Sequence, residues 1–171
     1  MFKCLNVYML KCLKDHKGFG MVEIIVAVAL MTMFFLAIYE IILFSNKIIA
    51  SNLRKIEATH FAQEALEAVR LIRDDGWSAN ISPLANEADY YLSLVGAEWI
   101  LTTTTQLALN GVFDRTIIFR QVERDVNGDI VATGGTVDTK TRQVSANVSW
   151  KELGVDKSIK LETYITNLLS N

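Results

Sequence analysis

A long apolar run with one acid near its beginning constrains this chain more than anything else in it. Residues 17–44 read KGFGMVEIIVAVALMTMFFLAIYEIILF, and Glu23 sits four residues after Phe19, at the mouth of the run. An unpaired carboxylate at membrane depth costs of order a few kcal/mol. Such a charge calls for a partner, and a free amine is the best one. A cut after Gly18 makes that amine, on Phe19.

The run itself is long enough for a bilayer. Residues 24–39 are interrupted only by Thr32, and 20–39 supplies 20 residues, which span the hydrocarbon as a helix. A secretory signal peptide has an apolar core of about 7–15 residues and a small-residue cut site behind it. Here the chain continues EIILFSNK, with no such site, and the small residue Gly18 lies ahead of the run. That geometry fits a cut at the cytoplasmic face that leaves the helix on the product. A plain signal anchor is the simpler alternative.

Charge and cysteine agree with a division after residue 18. The first 18 residues hold Lys3, Lys11, Lys14, Lys17 and Asp15, a balance of +3. Of 17 basic and 19 acidic side chains in the whole chain, 13 and 18 lie beyond them, a balance of −5. Lysines ahead of the span place the N-terminus in the cytoplasm. The acidic remainder argues against a nucleic-acid partner, which needs a basic footprint. Both cysteines, Cys4 and Cys12, lie before the cut. The product therefore has no thiol for a disulfide, a nucleophile or a metal.

Lys17-Gly18-Phe19 followed by Glu23 and an apolar helix resembles the N-terminus of type IV prepilins and their relatives. FAQEALEAVR at 61–70, with Ile72-Arg73-Asp74 after it, looks like a segment of some minor pilins. So does the closing stretch from Val148-Ser149-Trp150 through 161–167. Where many members carry a proline this chain has Glu40, and it lacks the C-terminal disulfide of many Gram-negative pilins.

The resemblance implies a role for each motif residue. Gly18 would close the leader, and a membrane prepilin peptidase would cut between Gly18 and Phe19. Phe19 would become the N-methylated N-terminus. Glu23 would serve subunit assembly, facing the Phe19 ammonium of a neighbouring subunit or of its own chain. Opposite charges in a low dielectric attract strongly and each alone is costly, so the pair would set a register. The implied organisation is a leader at 1–18, a transmembrane and filament-core helix at 19–44, and an extracytoplasmic pilin-like domain at 45–171. The implied partners are the peptidase, other pilin subunits, an inner-membrane assembly platform and membrane lipid. A minor pilin is the leading expectation. A pseudopilin of a type II secretion machine fits the same motif, and a membrane-anchored binding module that never polymerises is the alternative of a different class.

The helix is predicted to continue past the membrane, because 45–75 contains neither proline nor glycine. Ala58, Phe61, Ala65, Ala68 and Ile72 recur at helical spacing, widened by Ala62, Leu66 and Val69. Glu67 and Arg70 are placed to pair three residues apart. Gly76 is expected as a left-handed cap, with a loop over 77–89. Beyond it the period becomes two. Short strands are expected at 90–95, 99–105 and 116–123, and alternation is clear at 144–150 and 159–165. Asn127-Gly128 predicts a type I′ hairpin. The fold class expected is α+β, a long N-terminal helix, transmembrane in its first half and amphipathic in its second, on an antiparallel sheet of about four strands.

No enzyme is legible. His16 and His60 are the only histidines, and the sequence contains no HExxH, CxxC, GxSxG or P-loop. Asp125, Asn127 and Asp129 faintly suggest a calcium loop, without the downstream glutamate of an EF-hand; a turn explains them better. No catalytic, cofactor or metal residue is expected. Trp77, Trp99 and Trp150 offer either a ligand platform or, for at least two of them, core packing.

Overall fold

The computed structural model describes residues 20–106 and 108–168. One helix, α1, runs over Met21–Asp75, 55 residues without interruption. At 1.5 Å per residue that is about 80 Å of helix. The chain divides into two compact units, Met1–Ile48 and Ile49–Asn171, and α1 belongs to both.

In the second unit the helix packs on an antiparallel sheet, an α+β arrangement. The strands are β1 (Asp89–Val95), β2 (Glu98–Thr102), β3 (Asp114–Arg124), β4 (Ile130–Val131), β5 (Thr136–Glu152) and β6 (Val155–Thr166). Their order is β2-β1-β3-β5-β6, with β4 paired to β3. The sheet thus has six strands rather than about four. The expected short strands at 90–95, 99–105 and 116–123 all join it, the second ending early at Thr102.

The helix face legible in the sequence is the face that is buried. Ala58, Ala62, Ala65, Ala68, Val69 and Ile72 lie against the sheet, with Phe61 partly covered. Four of these are alanines, which leave room for large side chains from the sheet. The sheet answers with large ones: Phe113, Ile117 and Phe119 from the β3 side, and Val144, Val148 and Trp150 from β5, all buried. Phe113 bridges the two layers, its ring 5.4 Å from Phe61 and 5.9 Å from Trp150. Trp77 and Trp150 are core residues, while Trp99 is half-buried under the Arg115 guanidinium at 5.8 Å. Glu67 and Arg70 do pair on the solvent side.

Two expected turns take other forms. Gly76 is extended, with φ 165°, and is not a left-handed cap. The chain instead enters a π-helical turn at Trp77–Ile81, closed by the Ser82 N–H donating to the Trp77 carbonyl at 2.8 Å. The wide turn drives Trp77 and Ile81 together into the core, so part of the expected loop is ordered structure. Arg142 holds the following segment down, donating to the Ser82 and Leu84 carbonyls at 3.2 and 2.9 Å.

At Asn127-Gly128 only Gly128 has positive φ, 88°. A type I′ turn needs two such residues. The loop is one residue longer, and Gly128 N–H donates to the Asp125 carbonyl at 3.1 Å. The Asp125 carboxylate accepts from the amides of Asn127 and Asp129, both at 2.9 Å, which holds the longer form in place. The type I′ turn sits at the β5–β6 connection instead, where Leu153 and Gly154 have φ 50° and 81°. At Gly134-Gly135, a Cβ on Gly135 would lie 2.6 Å from the Arg124 carbonyl oxygen, so that approach demands glycine.

Candidate functional site

The candidate assembly element is the first half of α1. Its start is hydrogen-bonded locally: the Gly20 carbonyl accepts from the amides of Glu23 and Ile24 at 2.9 and 3.3 Å. Glu23 therefore stands in the first turn, where the positive end of the helix dipole favours an acid. Its side chain is exposed, and among the described residues no cation pairs with it. Gly18 and Phe19, the expected cut site and methylated terminus, lie outside the described residues, as do Cys4, Cys12 and His16.

Behind Glu23 the helix presents apolar side chains on every side. Ile25, Met31, Phe34, Phe35, Leu36 and Phe44 are all exposed within this unit. The segment is long and apolar enough to cross a membrane, and none of its most apolar window is buried in the structure. Thr32 is compatible with such a helix, because its hydroxyl donates to the Ala29 carbonyl at 2.8 Å and so satisfies its donor within the helix. Glu40 and Lys47 are exposed, and no ion pair joins them. The chemistry on offer is an acceptor for one cation at the head of an apolar rod.

The described residues of the second unit include several concave regions. One, of about 680 Å³, lies between the end of α1, the 79–84 segment and β2, and includes Leu71, Asp75, Pro83, Leu84 and Trp99. A smaller one of about 330 Å³ has Arg115 in its wall. Arg115 is buried, yet it is satisfied by the Phe61 carbonyl at 3.3 Å and by Glu64 at 3.2 Å. It is a strut between β3 and α1. A third, of about 500 Å³, runs beside Trp150 and Asp156. Sequence periodicity did not single out Arg115 or the large groove, since both arise from segments distant in the chain.

Among the described residues no three His, Cys, Asp or Glu side chains cluster to hold a metal. The Asp125–Asp129 turn is closed by its own hydrogen bonds. The Asp129 amide above all, then those of Asn127 and its side chain, hold the Asp125 carboxyl below its ordinary range. His60 is exposed on the helix, away from any such cluster. At the far end of the helix–sheet layer, Glu152 beside the β5–β6 turn accepts from the Ser51 hydroxyl at 3.0 Å and pairs with Arg54 at 3.7 Å. No protein-family model, curated protein or solved structure matches this chain.

Proposed function

We propose that this chain is a structural subunit, of minor-pilin type, of a type IV pilus-like filament. In this reading a prepilin peptidase removes residues 1–18 and the subunit assembles through its N-terminal helix. The observation that carries it is the combination within α1. An acid with no cation partner among the described residues stands in the first turn, an exposed apolar surface follows, and the same unbroken helix contributes to the core of a folded α+β unit. A rod of that composition is suited to lipid first and to neighbouring rods afterwards. An acid at its head is suited to a terminal ammonium, since each charge offsets the other's cost of burial.

The test is paired. Mass spectrometry of envelope fractions is expected to find a product beginning at a methylated Phe19. Glu23→Ala is expected to leave that processing intact and to reduce recovery in sheared filaments at least tenfold. A mature product that retains Met1 removes the reading. Normal recovery of Glu23→Ala in filaments removes the role of Glu23, and a processed chain never found in filaments favours an anchored binding module.

A further inference from the structure

We propose that neighbouring copies of this chain join their sheets edge to edge, the open edge of β2 in one copy pairing in parallel with the open edge of β6 in the next. The proposal deepens the filament reading and rests on it for the shared orientation of the copies.

The two edges follow from the hairpin registers. β2 is joined to β1 through the two-residue Gly96-Ala97 turn, with Val95 opposite Glu98. That pair closes the hairpin with mutual hydrogen bonds, so alternate residues turn their backbone groups outward. These are Trp99 and Leu101, and among the described residues neither makes an outward backbone hydrogen bond. β6 follows the same rule from Glu152 opposite Val155. Ser158, Lys160 and Glu162 turn their N–H and carbonyl groups away from β5, again without a partner. The second edge is long, 12 residues. Edges of this kind are templates for another strand.

Strand polarity then selects the pairing. Every adjacent pair along β2-β1-β3-β5-β6 is antiparallel. Four reversals leave β2 and β6 pointing the same way. Copies repeated by translation in one membrane also point the same way, so side-by-side placement brings β2 against β6 in parallel.

The faces agree independently. In a parallel ladder a residue with outward backbone groups lies beside a partner residue whose groups point back into its own sheet. Trp99 would thus lie beside Ile159 or Leu161. All three are partly buried against the helix side of the sheet, so the apolar faces stay continuous. Antiparallel pairing would reverse one copy and set Trp99 beside a residue of the solvent face. The groove of about 680 Å³ along β2, floored by Leu71, Pro83 and Leu84, leaves room for the apolar side chains of the incoming strand.

The contact is small. β2 has five residues, about 17 Å of strand, well below the roughly 1,000 Å² of a free-standing interface. Edge pairing therefore needs copies already held close by a second tether, their helices or the shared membrane, where effective concentration replaces affinity.

Cysteine cross-linking in membranes tests this on the full chain carrying Cys4→Ser and Cys12→Ser. Ile100→Cys in one copy is co-expressed with Ser158→Cys, Lys160→Cys or Glu162→Cys in another. Parallel neighbours about 4.8 Å apart lie within disulfide reach. One of the three combinations is expected to give at least ten times the disulfide-linked dimer of a mid-sheet control, Thr116→Cys. Helix association is read separately with Phe34→Cys, Phe35→Cys and Leu36→Cys. Helix cross-links without edge cross-links overturn the edge pairing and leave the filament reading standing. Edge cross-links without helix cross-links uphold the pairing and count against that reading. Absence of both overturns both, and capture of Ile100→Cys by a different envelope protein alone overturns the second copy as the occupant.

Discussion

Residues 21–48 and 49–75 belong to one helix yet use apolar side chains in opposite ways. The first stretch carries Phe34, Phe35, Leu36 and Phe44, all exposed. The second turns Ala58, Ala62, Ala65 and Ala68 inward, and all four are buried. Bulk without a facing layer leaves a surface suited to lipid. Small residues with a facing layer leave space that Phe113, Phe119 and Trp150 fill. Apolar content alone therefore does not make a core; an apolar stripe opposite a second apolar face does.

The largest expected effect breaks that symmetry directly. Phe119→Ala, at a fully buried ring packed 5.8 Å from Tyr90, is expected to destabilise the second unit by about 3–5 kcal/mol. Phe34→Ala is expected to change it by less than about 0.5 kcal/mol. Denaturation of the detergent-solubilised chain, followed by tryptophan fluorescence, checks both. Equal losses would mean that the exposed helix surface supports the sheet after all.

An intermediate effect lies in a polar cluster at the far end of β3 and β5. The Arg124 guanidinium, 2.7 Å away, and then the Thr141 hydroxyl lower the Asp138 carboxyl from 3.8 to about 2. A carboxyl lowered by folding contributes stability above its unfolded value. The contribution is lost as pH falls through about 2. Asp138→Asn is expected to cost about 1 kcal/mol near neutral pH, after allowance for the partly exposed Arg124. The deficit is expected to vanish below about pH 2, and a pH series of urea midpoints reads it.

The smallest effect has the opposite sign. Leu153 holds φ 50° at the β5–β6 turn, fully out in solvent. Left-handed backbone costs an L-residue about 1–2 kcal/mol, and asparagine tolerates it better. Leu153→Asn is expected to stabilise the second unit by about 0.5–1 kcal/mol in the same assay. No gain would mean that the leucine makes a contact worth the strain.

Much of this was legible in the residues. The stripe from Ala58 to Ile72, the Glu67–Arg70 pair and the alternation at 144–150 and 159–165 are local periodicities, and local spacing fixes which side chains share a face. The turns were less legible because neighbours decide them. Asn127-Gly128 carries the stronger type I′ signal, but the Asp125 carboxylate captures two amides and lengthens the loop. Leu153-Gly154 carries a weaker one and adopts the turn because β5 and β6 pair continuously on both sides. Arg115 gave no periodic sign of burial, since its partners Phe61 and Glu64 lie more than fifty residues away in sequence.

By itself the sequence determined a membrane-length apolar helix headed by one acid, and a polar-outside, apolar-inside domain behind it. Those are properties of composition and period, carried by each segment alone. Tertiary structure decided the strand order, the two open edges that share one direction, and the groove beside Trp99. These depend on which distant segments meet, and chain entropy leaves that choice to the packing of the whole unit.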